Sequence, residues 1–476
     1  MRRDAKKVWN GLYYGMRKDW VVSDLETYLE LQEAFRGGNT HANRYFVAPE
    51  DLPPIVILNV HSYDRSSSYP DVMCNMKFPL GKWKKQPGYW KEDIIEKYKL
   101  MNRAMVFRVR FYNIRLKDVM FGCPYLSCDK TKNLRHRSER EYYNVVYDNG
   151  RIVKADLVET TITDVDYWII SQEYEWNDMD VYDVKYCRYQ KLPQPFIDLI
   201  QLYYKNKTEL KGISEMKWKY NESKSKINAL YGMSAQKTVR EVITYSDTYE
   251  DLFQEISGDA EAMLKSAERK AFLPYAVGVF VTAWARYWLE RAILLIHNTP
   301  GADFIYTDTD SVKFIGEVDF TELNNEIRNN SIESGSFATD KDGNIHYMGV
   351  YEYEETYPKF ATMGAKKYIY GDDENIHVTI SGVVKYNQEG EEISAKELKN
   401  LGGFKAFKSG TCFTKAGGLE AVYNDRPSVT QVTIDGHEVP ITRNVCLRPS
   451  TYTLGLAGEY ERLLKSIIAG VDNHYI

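Results

Sequence analysis

Between two short apolar runs, Phe304-Ile305-Tyr306 and Ser311-Val312-Lys313-Phe314-Ile315, stands the tetrapeptide Thr307-Asp308-Thr309-Asp310. The runs read as the strands of a hairpin, so the fold must hold two acids at the tip of an apolar turn. Paired carboxylates are costly to pack beside a hydrophobic sheet without a counter-ion. A third acid is available: Pro53-Pro54 opens Ile55 to Val60, a β-branched run that reads as a buried strand and delivers Asp64 to its end. Oxygen ligands gathered from separate strands are what a hard cation needs. Turn aspartates commonly serve only their own backbone, but here Asp64 leads into Ser67, Tyr69 and Pro70, and Tyr306 and Ser311 flank the other two. Metal is the economical explanation.

A third element lies between these acids in the chain. Phe196 to Lys211 and Lys217 to Tyr231 read as lysine-rich helices divided near Gly212. In the second, Lys224, Asn228 and Tyr231 recur at i, i+4 and i+7 just before Gly232 and so share one face. A cation, an amide and an aromatic ring suit a phosphate and a base. The plain alternative is the polar face of an amphipathic helix.

The chain has 476 residues, more than one ordinary core takes up, so two or more subdomains are expected around a common site. With 43% hydrophobic and 27% charged residues it has no compositional case for disorder. No apolar stretch is long enough for a membrane span or a signal peptide. Six scattered cysteines fit no disulfide framework, which points to a reducing compartment, the cytoplasm. Cys123, Cys128 and His136 invite a zinc reading, but no fourth ligand is evident. The net charge of −5 hides an asymmetry: Lys82 to Arg140 carries 16 Lys/Arg against 6 Asp/Glu, and Glu141 to Lys185 carries 3 against 11. A polyanion could sit on the first stretch and be repelled by the second, or both could be solvated faces of one subdomain.

Ser23 to Phe35 reads as a short helix with Ser23 and Glu26 as a capping box and a stop at Gly37-Gly38. The acids Asp24 and Glu26 have the spacing of a nuclease pair, but cap and helix N-terminus explain both without chemistry. Phe78 to Leu192 looks like an inserted subdomain, with strands at Met105 to Phe111 and Tyr142 to Val146. Leu252 to Lys270, Val277 to His297 and Glu459 to Ile468 read as helices.

Asp64-Arg65-Ser66-Ser67-Ser68-Tyr69-Pro70, Lys224 to Gly232 and Tyr306-Thr307-Asp308-Thr309-Asp310-Ser311 resemble, in order, the A, B and C motifs of family B DNA polymerases. Phe35-Arg36-Gly37-Gly38, Thr282-Ala283-Trp284-Ala285-Arg286-Tyr287, Lys366-Lys367-Tyr368 and the long insert between motifs A and B narrow the resemblance to the protein-primed bacteriophage subgroup. The resemblance implies an α+β, right-hand polymerase with an antiparallel palm sheet. Its implied parts are 1–77 (N-terminal helix, template clamp, first palm segment), 78–192 (a terminal-protein-contacting insert), 193–233 (fingers), 234–273 (a second insert), 274–390 (palm) and 391–476 (thumb). The implied chemistry is template-directed nucleotidyl transfer from dNTPs, with two Mg²⁺ ions, or Mn²⁺ in their place, held by Asp64 and Asp310 and supported by Asp308.

By the same likeness Ser67, Lys224, Asn228, Tyr231 and one of Lys207 or Lys211 bind the nucleotide, and Tyr69 lies under the sugar as a steric gate. Lys366 adds a catalytic cation and Tyr368 meets the primer terminus. Arg36, Gly37, Gly38 and Arg286 bind DNA, the glycines letting a phosphate backbone approach main-chain N–H groups. Implied partners are primer-template DNA and a terminal protein. Ser68 stands where the family usually has leucine and Ala229 where serine is common, so the pocket shape is expected to differ. Asp64 comes so early that an upstream exonuclease domain is expected to be missing, with proofreading absent or supplied by a separate subunit. The alternative from another class is a non-catalytic DNA- or protein-binding relative; intact acids and Lys224 speak against it. Tyr69 and the Asp-Thr-Asp turn disfavour reverse transcription and RNA synthesis.

Overall fold

The computed structural model describes residues 2–22, 24–132, 145–237, 239, 242–245, 253–256, 259–270, 273–387, 389–417, 419–434 and 437–469. They form two compact units, one of Met1–Asn39 with Ser62–Glu354 and one of Thr40–His61 with Glu355–Asp472.

In the first unit, helix α1 (Leu25–Ala34) is capped by Asp24, whose carboxylate accepts from Thr27 N at 3.1 Å and Thr27 Oγ1 at 2.6 Å. The expected cap Ser23 lies outside the described residues. Glu26 caps nothing: it pairs with Lys185 at 3.1 Å and with Lys85. Both acids of the nuclease-like spacing are thereby accounted for. Strand β1 (Ile57–Arg65) runs past the expected stop at Val60, so Asp64 sits inside the strand rather than after it. Helix α2 (Ser68–Asn75) follows at once, unforeseen because eight residues show little periodicity.

The insert is built on three long antiparallel strands, β2 (Arg103–Leu116), β3 (Arg151–Thr163) and β4 (Asp178–Gln190), with β2 between the other two. Phe107, Val109 and Phe111 alternate inward while Arg108 and Arg110 stay half-exposed, the period of a strand buried on one face. This pairing corrects the picture of a basic surface apart from an acidic one. Arg110 meets Glu159 at 2.7 Å, Arg108 meets Asp183 at 3.1 Å, Arg115 meets Glu175 at 2.6 Å, and Lys91 bridges Asp178 and Asp180. Four basic side chains of the first run are thus paired with five acids of the second. Helix α3 (Asp164–Glu173) leaves β3 through a Thr163/Asp166 capping box.

Helices α4 (Gln194–Glu209) and α5 (Lys217–Ser234) are joined through Gly212, whose φ of +78° needs a residue without Cβ. The expected helix over 252–270 is half wrong: Val242–Tyr245 and Phe253–Ile256 pair as a hairpin, and only Ala260–Lys270 is helical. The β-branched Val242-Ile243-Thr244 run favours the strand. Helix α6 (Tyr275–His297), apolar on nearly every side, is the buried axis against which α1, α2, α3 and α5 pack. Strands β5 (Asp303–Thr309) and β6 (Ser311–Ile315) form the expected hairpin. The end of β1 lies beside β6. A small hairpin, β7 (Phe337–Thr339) and β8 (Ile345–Tyr347), precedes β9 (Tyr351–Thr362).

The second unit pairs the later part of β9 with β10 (Lys367–Gly371), and β10 with β11 (Ile376–Ile380). Ala361, Ile369 and Val378 form its core with Leu398 of α7 (Ile393–Leu401), Phe404, Phe407, Phe413 and Leu454. A long hairpin, Leu419–Ile434 with His437–Pro449, and α8 (Gly458–Ile468) complete it. Among the described residues no helix is long and apolar enough to cross a membrane.

Candidate active site

The tip of the β5–β6 hairpin is a tight turn closed by Asp310 N donating to Asp308 O at 2.8 Å. Thr309 at its centre has a φ of 67°, a costly conformation for a β-branched residue. The turn is held from two sides. Arg65 N at the end of β1 donates to Asp310 O at 3.0 Å. Gly38 packs so closely beneath Thr309 that a Cβ there would lie 2.7 Å from Thr309 Cγ2. Asp64 and the Asp308/Asp310 pair are thus brought together from separate strands, as their spacing implied.

Burial raises the Asp64 carboxyl to about 7, and the charges of Asp310 and Glu354 add to it. Burial likewise raises Asp310 to about 6, with Arg65 opposing and Asp308 reinforcing the shift. Lys313, buried behind them, is pushed down by desolvation while Glu354, Asp64, Asp308 and Asp310 hold it up. Half-buried carboxyls that resist ionisation side by side are a donor set suited to a hard divalent cation, whose charge would reverse both shifts. Among the described residues no group of three or more His, Cys, Asp or Glu side chains is arranged to hold a metal. Glu352 and Glu354 escaped notice in the sequence. The available signal was Tyr351-Glu352-Tyr353-Glu354, whose period of two puts both acids on one face of a strand.

The turn from β1 into α2 is fixed by Arg65, which is wholly buried and ion-paired with Asp71. Its Nη1 donates to Ser68 O at 3.1 Å and Ser68 Oγ at 2.9 Å. The serine that departs from the family's leucine is therefore a polar anchor inside the turn. Gly349, at φ +83°, abuts the Asp71 carboxylate, which leaves no room for a Cβ. Ser67 takes a left-handed φ of 51°, and Tyr69 stacks on Tyr231 of α5 with ring centres 4.2 Å apart.

Asp64, Ser67, Tyr204, Lys207 and Lys211 share the wall of a cavity of about 430 Å³. Lys207 Nζ donates to Ser67 Oγ at 3.0 Å. Burial, followed by the charges of Lys224 and Lys211, pushes Lys207 below the usual lysine range. Of the two lysines between which the sequence left a choice, Lys207 is on α4 and Lys211 lies just past its end, and both line the cavity. Lys224 and Asn228 are exposed on α5, Lys224 near enough for its charge to act on Lys207.

Arg36 and Arg286 need correcting as DNA contacts. Arg36 is buried and donates to Ala34 O, Thr161 O and Thr160 Oγ1. Arg286 is buried too, ion-paired with Asp166 at 2.6 Å and donating to Tyr125 Oη, Arg36 O and Gly37 O. Both guanidiniums hold the Arg36-Gly37-Gly38 backbone in place, leaving only the two glycines exposed. Lys366 and Tyr368 belong to the second unit, where Lys366 is exposed with a φ of 60° and Tyr368 stacks on Phe360. Of the zinc-like set, Cys123 is buried and accepts from Asn39 Nδ2, and His136 lies outside the described residues.

A family model of DNA polymerases of type B, organellar and viral, matches residues 3–285. The DNA polymerases of Bacillus phages Nf and B103 are each 26% identical over 290 residues, 60% of this chain and 43% of theirs. The chain thus spans less than half the length of these curated relatives. Among solved structures, Phi29 DNA polymerase in a ternary complex with primer-template DNA and incoming nucleotide matches 94% of the chain and 67% of its own, with a TM-score of 0.56 at 17% identity. The same polymerase complexed with single-stranded DNA matches 95% and 66%, with a TM-score of 0.60 at 17% identity. The likeness is one of α+β fold.

Proposed function

The chain belongs to the organellar and viral type B DNA polymerases, and from that membership we propose that it is a template-directed DNA polymerase, primed by a terminal protein as in the phage subgroup. One observation carries the reading: Asp64, beside Asp310, lines the same cavity as Lys207 and Lys211. Carboxylates for cations and ammonium groups for phosphates adjoin one space.

Asp64 and Asp310 would hold Mg²⁺, with Asp308 in support. Bound there, the cation would lower the pKa of a primer hydroxyl and offset charge on the phosphates. Lys207 and Lys211 would hold the triphosphate, Lys207 being fixed by Ser67 and Lys224 adding its charge from α5. Tyr69, braced by Tyr231, would present a rigid ring to the sugar and exclude a 2′-hydroxyl. Gly37 and Gly38 would take the template backbone, and Lys366 and Tyr368 the primer end. The 78–192 insert would meet the terminal protein.

The test is incorporation of labelled dNTP on a primed template with Mg²⁺. Asp64→Ala and Asp310→Ala should each lower it roughly a thousandfold or more, since a ligated metal supplies several kcal/mol of transition-state stabilisation. Full activity in either variant rejects the reading. Label from dATP on a candidate terminal protein, without DNA primer, reports the priming mode.

A further inference from the structure

Beyond Lys207 and Lys211, the same cavity has a third cation that no motif includes. Lys341 lines it together with Asp64, Ser67, Lys207 and Lys211. It stands at the tip of the β7–β8 hairpin, in the turn Asp340-Lys341-Asp342-Gly343-Asn344. The turn is tied down by its first residue. The Asp340 carboxylate accepts from Asp342 N and Asn344 N, both at 2.9 Å, and from Asn344 Nδ2 at 3.2 Å, and it pairs with His346 Nε2 at 2.9 Å. Asp340 N donates to Asn344 O at 2.9 Å. Strand β7 packs on α4, and Gln201 Nε2 of α4 donates to Ser334 O at 2.6 Å just before the hairpin. The Lys341 ammonium reaches the corner between α4 and α5, where a Cβ on Gly212 would lie 3.3 Å from Nζ.

The carboxylates of Asp64, Asp340, Asp342 and Glu352 also line this cavity, yet among the described residues none forms an ion pair with Lys207, Lys211 or Lys341, and that of Asp340 is taken up by its own turn and His346. Elsewhere in the unit Lys85, Lys91 and Lys185 are each paired with carboxylates. Three ammonium groups that share one cavity and pair with no carboxylate suit an anion held between them. A chain of linked phosphates is the anion that could meet all three, since each ammonium is a point donor with no preferred plane.

We infer that Lys341 is a further phosphate-contacting residue of the incoming-nucleotide site, carried there by a hairpin outside the polymerase motifs. The inference rests on the polymerase reading above. Its test is steady-state incorporation on a primed template by Lys341→Gln and Lys341→Arg, with inorganic pyrophosphate as inhibitor. In the glutamine variant the dNTP KM should rise about fivefold or more while kcat changes less, as for loss of one charge-assisted contact. Inhibition by pyrophosphate should weaken by a similar factor, and arginine should restore most of both. An unchanged KM and unchanged pyrophosphate inhibition overturn the inference. So does a KM rise that comes with a lowered melting temperature and is not recovered by arginine, because a structural lysine behaves that way. Should the wild-type chain not incorporate nucleotide, the polymerase reading fails by itself. Calorimetric binding of inorganic tripolyphosphate then decides the anion site: binding lost in Lys341→Gln supports it, and no binding by the wild type overturns it.

Discussion

Gly38 has an ordinary φ, so its need for a missing side chain comes from what lies above it. A methyl group there would meet Thr309 Cγ2 at 2.7 Å and Oγ1 at 2.8 Å. Thr309 cannot swing aside cheaply, because its left-handed backbone and its hydrogen bond to Asp308 Oδ1 set its rotamer. Gly38→Ala should therefore shift the Asp308-Thr309-Asp310 turn and lower kcat about tenfold, since small misplacements of reacting groups are expensive. The double variant Gly38→Ala/Thr309→Gly should regain most of the rate. A single variant as active as the parent on a primed template contradicts this. The example shows where residue-level reading stops. Asp64, Asp308 and Asp310 stood out by their type and their places at a strand end and a turn, whereas Tyr69 was singled out by the likeness of its motif. The glycine pair was legible only as a helix stop or a DNA contact, since a sequence does not display what stands 2.7 Å away. Arg36 and Arg286 misled for the converse reason: a guanidinium that binds phosphate and one that holds main-chain carbonyls have the same letter.

Where α3 packs against α6, the carboxyls of Glu173 and Glu290 face each other in a fully buried space. Burial raises both, and Glu290 is brought to about 8. A group whose pKa is higher in the folded state binds its proton more tightly there, so folding is favoured while the proton stays on. That contribution is complete below the ordinary glutamate value and is lost as pH climbs toward 8. Glu290→Gln, which keeps the shape and one donor, should remove the loss. Its melting temperature should match the parent near pH 5 and exceed it at pH 8, by the equivalent of about 1 kcal/mol or more. Parallel pH profiles for the two proteins would show that the pair does not titrate in this range. At this scale the long helices α4, α5 and α6 were readable from their helical length and patterning. The hairpin 242–256 was not, because Phe253 to Ile256 is too short for its period to be told from that of the helix that follows. The α3–α6 joint was equally hidden, as two glutamates more than a hundred positions apart carry no local pattern.

A net charge of −5 means that the chain as a whole repels DNA at long range, so any binding has to come from cations left without partners. The densest basic run, Lys82 to Arg140, does not qualify along its strands. Lys91, Arg108, Arg110 and Arg115 are held by Asp178, Asp180, Asp183, Glu159 and Glu175 of the acidic run that follows. What the sequence displays as two separated blocks is, after antiparallel pairing, partly matched charge for charge on one sheet. Among the described residues Lys207, Lys211 and Lys341 line the cavity without an ion-paired carboxylate, and Lys224 is exposed on α5. This distribution can be read out by salt. Each phosphate contact contributes about 0.9 to the slope of log affinity against log salt. Replacing Arg110 and Arg115 together with glutamine should leave the slope for primer-template DNA unchanged, because each guanidinium already has a carboxylate partner. If those arginines were instead part of a DNA-binding face, the slope would fall by nearly two, and fluorescence anisotropy titrations between low and physiological salt would reveal it.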